Sequence, residues 1–181
     1  MPSIRRLVSA ALTPADIEKL RSLLWRAFGD DSLDGFDEDD WAHALGGWHV
    51  LAEDGDQLLA HASVVRRILE VDGEPWDAGY VEAVATDPML QGRGFGTQVM
   101  INIAEIISEN HRLGALGTGS FHFYERLGWQ RWRGPSGVRT PAGVERTSED
   151  DGFIMVLLTE ASMHLDLGGL ITCDWRPGDV W

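Results

Sequence analysis

Helical spacing of apolar residues marks the first half of the chain, after a short strand near its start. Thr13-Pro14 is typical of a helix start, and Gly29 is typical of a helix end. A second short helix is predicted over Glu38 to Leu45, after an acidic loop that runs from Asp30 to Asp37. The apolar face of the first helix is formed by Ile17, Leu20, Leu24 and Phe28.

Alternation of apolar and polar residues replaces helical spacing after residue 47. Asp54-Gly55 and Asp72-Gly73 separate the apolar runs, and Asp-Gly between such runs is a signal for a tight hairpin. The pattern therefore predicts an antiparallel meander. Its strands are predicted over Trp48 to Glu53, Gln57 to Glu70 and Trp76 to Thr86. One face of the longest strand is formed by Leu59, His61, Ser63, Val65 and Arg67.

Helices and strands alternate in the second half of the chain. Gly134 to Thr147 is rich in Pro and Gly, and we predict a loop that contacts substrate, because loops of this length are usually functional. The other predicted elements are a helix that follows the glycines and ends near Asn110-His111, a strand over Gly114 to Gly117, a helix over Phe121 to Leu127, and strands over Trp129 to Trp132 and Gly152 to Leu158.

The order of these elements predicts a mixed α/β fold with helices on the faces of one sheet. A chain of 181 residues, 44% of them hydrophobic, is long enough for a proper core. We therefore expect a single domain over residues 1–181.

Acidic residues outnumber basic ones by 29 to 15, so the formal net charge is −14. This charge argues against a nucleic-acid partner, because phosphates require a basic surface. It suits solubility or a cationic partner. The acids cluster at Asp30 to Asp40, at Glu149-Asp150-Asp151 and at Asp174 and Asp179, which favours a site for a polycation.

Location and metal chemistry are constrained by what the sequence lacks. The start has no apolar run of a signal peptide, and no segment approaches the roughly 20 apolar residues of a membrane span. The one cysteine, Cys173, cannot form an internal disulfide, so a cytoplasmic protein is expected. The histidines show no metal-ligand spacing, and Ser120 lies in no nucleophile elbow. We expect neither a metal nor a covalent enzyme intermediate.

The stretch Tyr80 to Thr97 concentrates the candidate chemistry. An apolar strand contains the carboxylate of Glu82, and a turn with several glycines then opens a helix. Such a turn offers backbone N–H groups and the positive end of the helix dipole to an anion, and Arg93 adds a cation. The glycine spacing is neither the dinucleotide fingerprint nor a P-loop. The residues alone leave both an anion site and an ordinary turn open.

The turn reads Gln91-Gly92-Arg93-Gly94-Phe95-Gly96, and a later segment reads Phe123-Tyr124-Glu125-Arg126-Leu127-Gly128-Trp129. The first resembles the Gln/Arg-x-x-Gly-x-Gly/Ala signature of the GCN5-related N-acetyltransferases, and the second resembles their later helix-to-strand motif. The resemblance implies a mostly antiparallel sheet that is splayed at the acetyl-CoA site. It implies that the turn binds pyrophosphate and that the strand edge binds pantetheine. The cofactor residues so implied are Val84, Ala85, Thr86, Gln91, Gly92, Arg93, Gly94, Phe95, Gly96 and Thr97.

Three further segments, Asp40 to Gly47, Gly79 to Glu82 and Cys173 to Trp181, resemble the aminoglycoside 2′-N-acetyltransferases within that family. The resemblance implies direct transfer of acetyl from acetyl-CoA to the 2′-amine of a polycationic aminoglycoside, which confers antibiotic resistance. It also implies a homodimer and a tail, residues 163–181, that completes the substrate site. In one departure, Gly117-Thr118-Gly119-Ser120 stands where relatives carry a longer, serine-rich segment.

Acetyl transfer to an ammonium needs a base, a polarised thioester carbonyl and a proton for the thiolate. Glu82 is the best candidate base, acting through water, although it could instead only bind the cation. The C-terminal carboxylate of Trp181 is a second candidate, unless it is simply solvated. The family motif implies that Tyr124 protonates the thiolate, although a pKa of about 10 also fits a packed aromatic residue. The backbone N–H near Val84 could polarise the carbonyl.

Several ammonium groups need several carboxylates. Asp40 and Asp179 rank highest because their flanking segments match, while any single acid could be a solvated surface residue. We expect Trp41, Trp48 and Trp175 in the core rather than under sugar rings. The implied substrate-binding residues are Asp34, Asp40, Glu82, Ala83, Gly117, Glu149, Asp150, Asp179 and Trp181.

Two other functions stay open at this point. The first is acetylation of another cationic amine or amino sugar, such as a cell-wall or thiol-precursor metabolite. The second is a non-catalytic acyl-CoA-binding sensor, which predicts CoA binding without turnover.

Overall fold

The structure is a computed structural model that describes residues 2–29 and 35–181. The chain forms two compact units. The first unit contains the described residues of Met1–Val65 together with Val81–Glu105, and the second contains Arg66–Tyr80 together with Ile106–Trp181. Two long strands contribute residues to both units. The expectation of one domain over residues 1–181 stays a prediction.

The first unit is built from three helices and the strands of the predicted meander. Strand β1 pairs antiparallel with β2, and β2 pairs antiparallel with β3. The elements are β1 (Ser3–Val8), α1 (Pro14–Phe28), α2 (Glu38–His43), β2 (Trp48–Asp54), the first part of β3 (Gln57–Val71), the last part of β4 (Glu74–Thr86), and α3 (Phe95–Asn110) as far as Glu105.

Local signals set the ends of α1 as predicted. The Thr13 hydroxyl accepts a hydrogen bond from the N–H of Asp16, and the Asp16 carboxylate accepts one from the N–H of Thr13, which completes a capping box. Gly29 ends the helix with a φ of 83°, a value that favours glycine. The apolar face of α1 packs in a core cluster whose buried members are Leu20, Leu23, Leu24, Phe36, Trp41, Leu51, Leu58 and Ala85.

The second unit is a sheet with one short helix. Its elements beyond β3 and β4 are β5 (Leu113–Gly117), α4 (Phe121–Glu125), β6 (Gln130–Arg131), β7 (Ser136–Thr140), β8 (Gly143–Arg146), β9 (Ile154–Leu158) and β10 (Ile171–Asp174). The strand order is β6-β9-β5-β4-β3-β10-β7-β8. The pairs β4–β5 and β7–β10 are parallel, whereas β5–β9, β6–β9, β7–β8 and β3–β10 are antiparallel. The predicted mixed α/β class with a mostly antiparallel sheet is confirmed.

The parallel pairing of β4 with β5 is short. It joins Ala78, Gly79 and Tyr80 to Leu113, Gly114 and Ala115. Strand β5 continues to Gly117, beyond the last of these pairs.

The prediction of an irregular loop over Gly134 to Thr147 is wrong, because this segment contains the β7–β8 hairpin, while its contact with substrate stays a prediction. Its glycines serve close contact between backbones. A Cβ added at Gly137 would lie 2.7 Å from the carbonyl oxygen of Glu145, and one at Gly134 would lie 2.0 Å from that of Gly169. Strand β10 was also missed, since four residues are too few to show alternation.

Within the described residues, no helix has the length and the apolar character that crossing a membrane requires.

Candidate active site

The glycine turn of the first unit follows β4 and leads into α3. Gly92 and Gly94 have φ values of 77° and 87°, in the left-handed region that favours glycine. Around a Cβ added at either position there is open space to 4 Å, so backbone strain rather than crowding selects glycine. The N–H of Gln98 donates to the carbonyl oxygen of Gly94 at 3.0 Å and begins the helical bonding.

This turn has the features of an anion-binding site. The first N–H groups of a helix have no intrahelical acceptor, and they lie at the positive end of the helix dipole. The first turn of α3 carries no acidic residue that would compete with an anion. Gln91, Gly92, Arg93 and Gly94 are exposed, whereas Phe95, Gly96 and Thr97 are partly buried.

The edge of β4 that precedes the turn contains one buried side chain between two that are partly buried. Val84 and Thr86 are partly buried, and the side chain of Ala85 is only 5% exposed within the core. Ala85 can therefore contribute only backbone groups to a ligand, as the predicted pantetheine contact requires.

Asp87 anchors the start of the turn, a role that the sequence interpretation missed. Its N–H donates to the carbonyl oxygen of Leu59 at 2.9 Å. Its carboxylate accepts hydrogen bonds from the N–H of Met89 at 3.0 Å and from Nη2 of Arg26 at 2.9 Å. Asp87 thus ties the turn to β3 and to α1. An Asp before Pro88 is a typical cap of a short helix, and that was the available signal.

Glu82 lies on β4, as predicted, and is partly buried. The next residue, Ala83, has a φ of 51°, which is unusual for a residue other than glycine. Ser63 Oγ donates to the carbonyl oxygen of Glu82 at 3.2 Å, and His61 Nδ1 lies 2.9 Å from that of Ala83. The candidate base therefore stands beside a kink in its strand.

Asp40 has a structural role in addition to its predicted substrate contact. Its carboxylate accepts a hydrogen bond from the N–H of Asp37 at 3.0 Å, within the capping box of α2. Helix α2 joins the core cluster through Trp41, and Ala83 packs against the same cluster. The first unit therefore connects Asp40 and Ala83 through one core. Asp34 lies outside the described residues.

In the second unit, the tail is held by the buried guanidinium of Arg67. Nη1 donates to the carbonyl oxygen of Val180 at 2.8 Å, and Nη2 donates to that of Asp174 at 2.9 Å. The Arg67 side chain is only 5% exposed, and its guanidinium carbon lies 4.8 Å from the ring centroid of Tyr80. Arg67 and Tyr80 are site residues that the sequence interpretation did not select.

The tail brings Trp181 next to Gly117, two predicted substrate-binding residues. A Cβ added at Gly117 would lie 3.3 Å from the backbone carbonyl carbon of Trp181 and 3.5 Å from Oη of Tyr80. The indole Nε1 of Trp181 donates to Oγ1 of Thr147 at 3.0 Å. Any side chain at position 117 would therefore press on the docked tail.

In the second unit, two predicted substrate-binding acids, Glu149 and Asp179, affect the pKa of a third, Asp150. Burial raises the pKa of Asp150 above its usual value. A hydrogen bond to Thr147 lowers this pKa, while the negative charges of Glu149, Asp179 and Asp151 raise it further. A bound cation would relieve this repulsion. Asp151 itself is occupied by hydrogen bonds from Ser136 and by its ion pair with Arg146.

Tyr124 is buried in an aromatic cluster of α4. Its ring meets Phe123 edge-on, with centroids 4.9 Å apart, and it meets Trp129 in the same manner at 6.1 Å. Burial raises the pKa of Tyr124 to about 12, so its hydroxyl stays protonated at neutral pH. It is thus in the form that a proton donor requires, although a high pKa weakens an acid.

The predicted tryptophans and metal ligands complete the picture. Trp41 is buried and Trp48 is partly buried, but Trp175 is 58% exposed, so its assignment to the core was wrong. Among the described residues, no group of three or more His, Cys, Asp or Glu side chains is arranged to hold a metal ion.

A mixed sheet whose strand runs into a glycine turn at a helix N-terminus is the architecture of an acyl-CoA-dependent acetyltransferase. Residues 10–132 match the family described as acetyltransferase (GNAT) domain. The chain belongs to this family. The matched range includes Glu82, the turn and Tyr124, while the tail lies beyond it.

Similarity to individual proteins extends further. The chain is 41% identical over 168 residues to an aminoglycoside 2′-N-acetyltransferase of Mycolicibacterium fortuitum, covering 91% of this chain and 84% of that one. The GNAT family N-acetyltransferase YhbS of Escherichia coli, solved in complex with CoA, has a TM-score of 0.67 at 18% identity and covers 95% of this chain and 89% of that one.

A GCN5-related N-acetyltransferase of Kribbella flavida has a TM-score of 0.59 at 20% identity. It covers 74% of this chain, and this chain spans about a third of its length, 34%. At these sequence identities, the similarity to the two solved structures supports the fold alone.

Proposed function

We propose that this protein transfers the acetyl group of acetyl-CoA directly to the 2′-amine of an aminoglycoside and thereby confers resistance to the antibiotic. The observation that carries the proposal is the 41% identity, over 91% of the chain, to the Mycolicibacterium fortuitum relative named for that reaction. The proposal also rests on features of the chain that suit each part of the chemistry.

Acetyl-CoA would bind along the end of β4 and at the turn before α3. The residues fit its shape and charge, because the Gly92 and Gly94 backbone is open and the helix N-terminus is free of acids. Arg93 would contact the pyrophosphate, and the backbone of Val84 to Thr86 would bind the pantetheine. When bound, acetyl-CoA supplies a thioester whose carbonyl carbon accepts the amine.

Glu82 would remove a proton from the substrate ammonium, through a water molecule, so that the free amine attacks the thioester. Glu82 is partly buried beside an apolar core, and this environment suits a carboxylate that is protonated transiently during the reaction. The N–H of Val84 would polarise the carbonyl that is attacked. As the carbon–sulfur bond breaks, Tyr124 would give its proton to the thiolate.

The carboxylates would bind the other ammonium groups of the substrate. In the second unit, burial raises the pKa of Asp150, the negative charges of Glu149 and Asp179 raise it further, and a polycation would relieve this repulsion. Asp40 would act in the same way from α2. The role of the Trp181 carboxylate as an alternative base stays a prediction, as do a cytoplasmic location, a homodimer and the absence of a metal.

The proposal is tested by incubating the protein with acetyl-CoA and either gentamicin or tobramycin while free thiol is followed. We expect Glu82→Gln to lower kcat by about 10²-fold or more, the usual contribution of a general base. Glu74→Gln is the matched control, because Glu74 is an exposed carboxylate on the same strand. An absence of thiol release with every 2′-amino aminoglycoside would refute the substrate. CoA binding without turnover on any amine would indicate a sensor instead.

A further inference from the structure

We propose that His61 and Ser63 are positioning residues for Glu82, which they aim by holding two consecutive backbone carbonyls at the kink in β4. The proposal rests on the proposed function, since Glu82 is the base there. Neither side chain needs to touch the substrate or acetyl-CoA. Both act on the backbone from β3, the neighbouring long strand.

The inference rests on the directions of the carbonyl groups of Glu82 and Ala83. In a regular strand, consecutive carbonyl groups point to opposite sides. Here the carbonyls of Glu82 and Ala83 both meet side chains of β3, at 3.2 Å from Ser63 Oγ and 2.9 Å from His61 Nδ1. His61 and Ser63 are two positions apart, so they lie on the same face of β3. The φ of 51° at Ala83 is what turns the second carbonyl toward that face.

This kink requires support from its surroundings. A left-handed conformation at a residue other than glycine is strained, and it persists only where neighbouring groups hold it. His61 and Ser63 are both fully buried, at 0% exposure. The carbonyls of Glu82 and Ala83 are partly buried, and each accepts a hydrogen bond from one of these side chains, so the two donors support the kink. Alanine has no preference for a positive φ, so residue 83 by itself does not explain the kink.

A series of hydrogen bonds, buried where His49 meets His61, fixes the orientation of His61. The carbonyl of Ala83 can only accept, so Nδ1 of His61 must carry its hydrogen and Nε2 must accept. His49 Nδ1 lies 3.0 Å from that Nε2 and is therefore the donor. His49 Nε2 must then accept from the hydroxyl of Ser9 at 2.8 Å, in competition with the carbonyl oxygen of Gly47, which lies 3.2 Å from the same hydroxyl. The N–H of Gly46 donates to Ser9 Oγ at 2.9 Å, so every donor points toward Ala83.

We call this series of hydrogen bonds, from the N–H of Gly46 to the carbonyl of Ala83, the brace. It supports the kink and does not relay protons. Its two ends are the carbonyl of Ala83 and the N–H of Gly46, and amide groups do not ionise near neutral pH. Burial lowers the pKa of both His49 and His61, which keeps both rings neutral. A proton on Nε2 of His61 would face the N–H of His49 Nδ1 and break the order of the bonds.

Loss of the brace would misdirect the base. If the kink relaxed to regular strand, residues on one side of it would exchange faces, because side chains alternate with a period of two. Glu82 and the N–H of Val84 stand on either side of Ala83, so their relative direction depends on this one residue. Misplacement by about 1 Å is enough to cost about 10²-fold in rate.

The kinetic test uses two removals and one rescue. Ser63→Ala and His61→Leu each remove one donor, and we expect each to lower kcat with tobramycin by about tenfold or more. The KM for acetyl-CoA should change by a smaller factor than kcat, because the turn that binds the pyrophosphate is unchanged. His61→Asn should recover most of the activity, because its amide N–H can stand where Nδ1–H stands. Ser22→Ala, an exposed serine on α1, is the matched control.

Two kinetic results would overturn the proposal. One is a kcat within about twofold of the wild-type value for both Ser63→Ala and His61→Leu. The other is a His61→Asn variant that is folded by circular dichroism and as impaired as His61→Leu, since packing and not the donor would then matter. Ser63→Ala removes one atom and is the variant that keeps the test valid if His61→Leu does not fold.

A measurement without substrate separates this proposal from the proposed function. Nitrogen-15 NMR of the wild-type imidazoles at pH 7 should show hydrogen on Nδ1 of both His49 and His61. Hydrogen on Nε2 of His61 would overturn the brace whether or not the protein acetylates an aminoglycoside. Failure of the wild-type protein to turn over any amine, with the expected tautomers present, would instead refute the proposed function and the link of the brace to a base.

Discussion

Replacing Arg67 with Met should release the tail of the second unit. The guanidinium of Arg67 donates to the backbone carbonyls of Val180 and Asp174 at 2.8 and 2.9 Å. Methionine fills much of the same volume but offers no donor. The indole contact of Trp181 with Thr147 would then hold the end of the tail without the clamp at its base.

The size of the effect follows from these contacts. A hydrogen bond with one charged partner contributes about 1.5–3 kcal/mol, so two of them give at least about 3 kcal/mol for tail docking. The ion pair with the Asp174 carboxylate, at 3.3 Å, adds little, because that side chain is 59% exposed and screened by water. About 3 kcal/mol corresponds to a decrease of about two orders of magnitude in the ratio of docked to undocked tail.

Hydrogen exchange followed by mass spectrometry measures this ratio directly. In Arg67→Met, amides of residues 175–181 should exchange about 10²-fold faster, in line with the lost docking energy. Peptides from β9 should keep their wild-type rates and serve as the internal reference. The KM for tobramycin should rise, because Asp179 and Trp181 move with the tail.

Arg66→Met is the matched control for this variant. Arg66 is the next residue, its side chain is 65% exposed, and it pairs with Asp77 on the surface. Its loss should cost less than about 1 kcal/mol and leave exchange in the tail unchanged. Wild-type protection of residues 175–181 in Arg67→Met, or equal exchange in both variants, would refute this account of the tail.

Three further results are expected. Gly94→Ala should raise the KM for acetyl-CoA, because alanine is strained at a φ of 87°. The control Gly119→Ala should leave this KM unchanged, because Gly119 lies in open space without a positive φ. Equal KM values for acetyl-CoA in the two variants would contradict an anion site at the turn. Tyr124→Phe should lower kcat by about 10²-fold if its hydroxyl protonates the thiolate, and an unchanged kcat would exclude that role. Burial lowers the pKa of His49 to about 4 and also lowers that of His61, so the unfolded chain binds more protons below pH of about 6.5. The free energy of unfolding, measured by urea titration, should therefore fall as pH decreases from about 6.5 toward 4.5, and a flat profile would contradict buried neutral rings.

Local signals made the first part of the fold predictable. Thr13 and Gly29 set the two ends of α1 through bonds and dihedral angles within a few residues. The Asp-Gly pairs marked both hairpins of the meander for the same reason. Where residues close in sequence determine the conformation, the cause can be read from the local sequence pattern.

Long-range contacts explain the errors in the second part. Gly134 was predicted to lie in a loop, but its lack of a side chain allows the close approach of Gly169, far along the chain. Strand β10 depends on pairing with β7 and β3, because four residues have no strong preference of their own. Neither partner is visible in the local pattern.

The candidate site divides in the same way. The turn was predictable, because its glycines and the helix start are contiguous. His61, Ser63 and Arg67 were visible as polar residues on one face of β3, yet their partners are the backbones of Ala83, Glu82 and the tail. Polar residues on a long apolar strand predict a buried network, but the sequence does not name the groups that they bind.

The central claim is the position of the acetyl group on the substrate. NMR of the product made from acetyl-CoA and tobramycin identifies the amine that has been acetylated. The proposed function predicts a single product acetylated at the 2′-nitrogen, and little N-acetylated product from kanamycin A, which carries a hydroxyl at that position. Acetyl on any other amine of tobramycin, or comparable N-acetylation of kanamycin A, would contradict it.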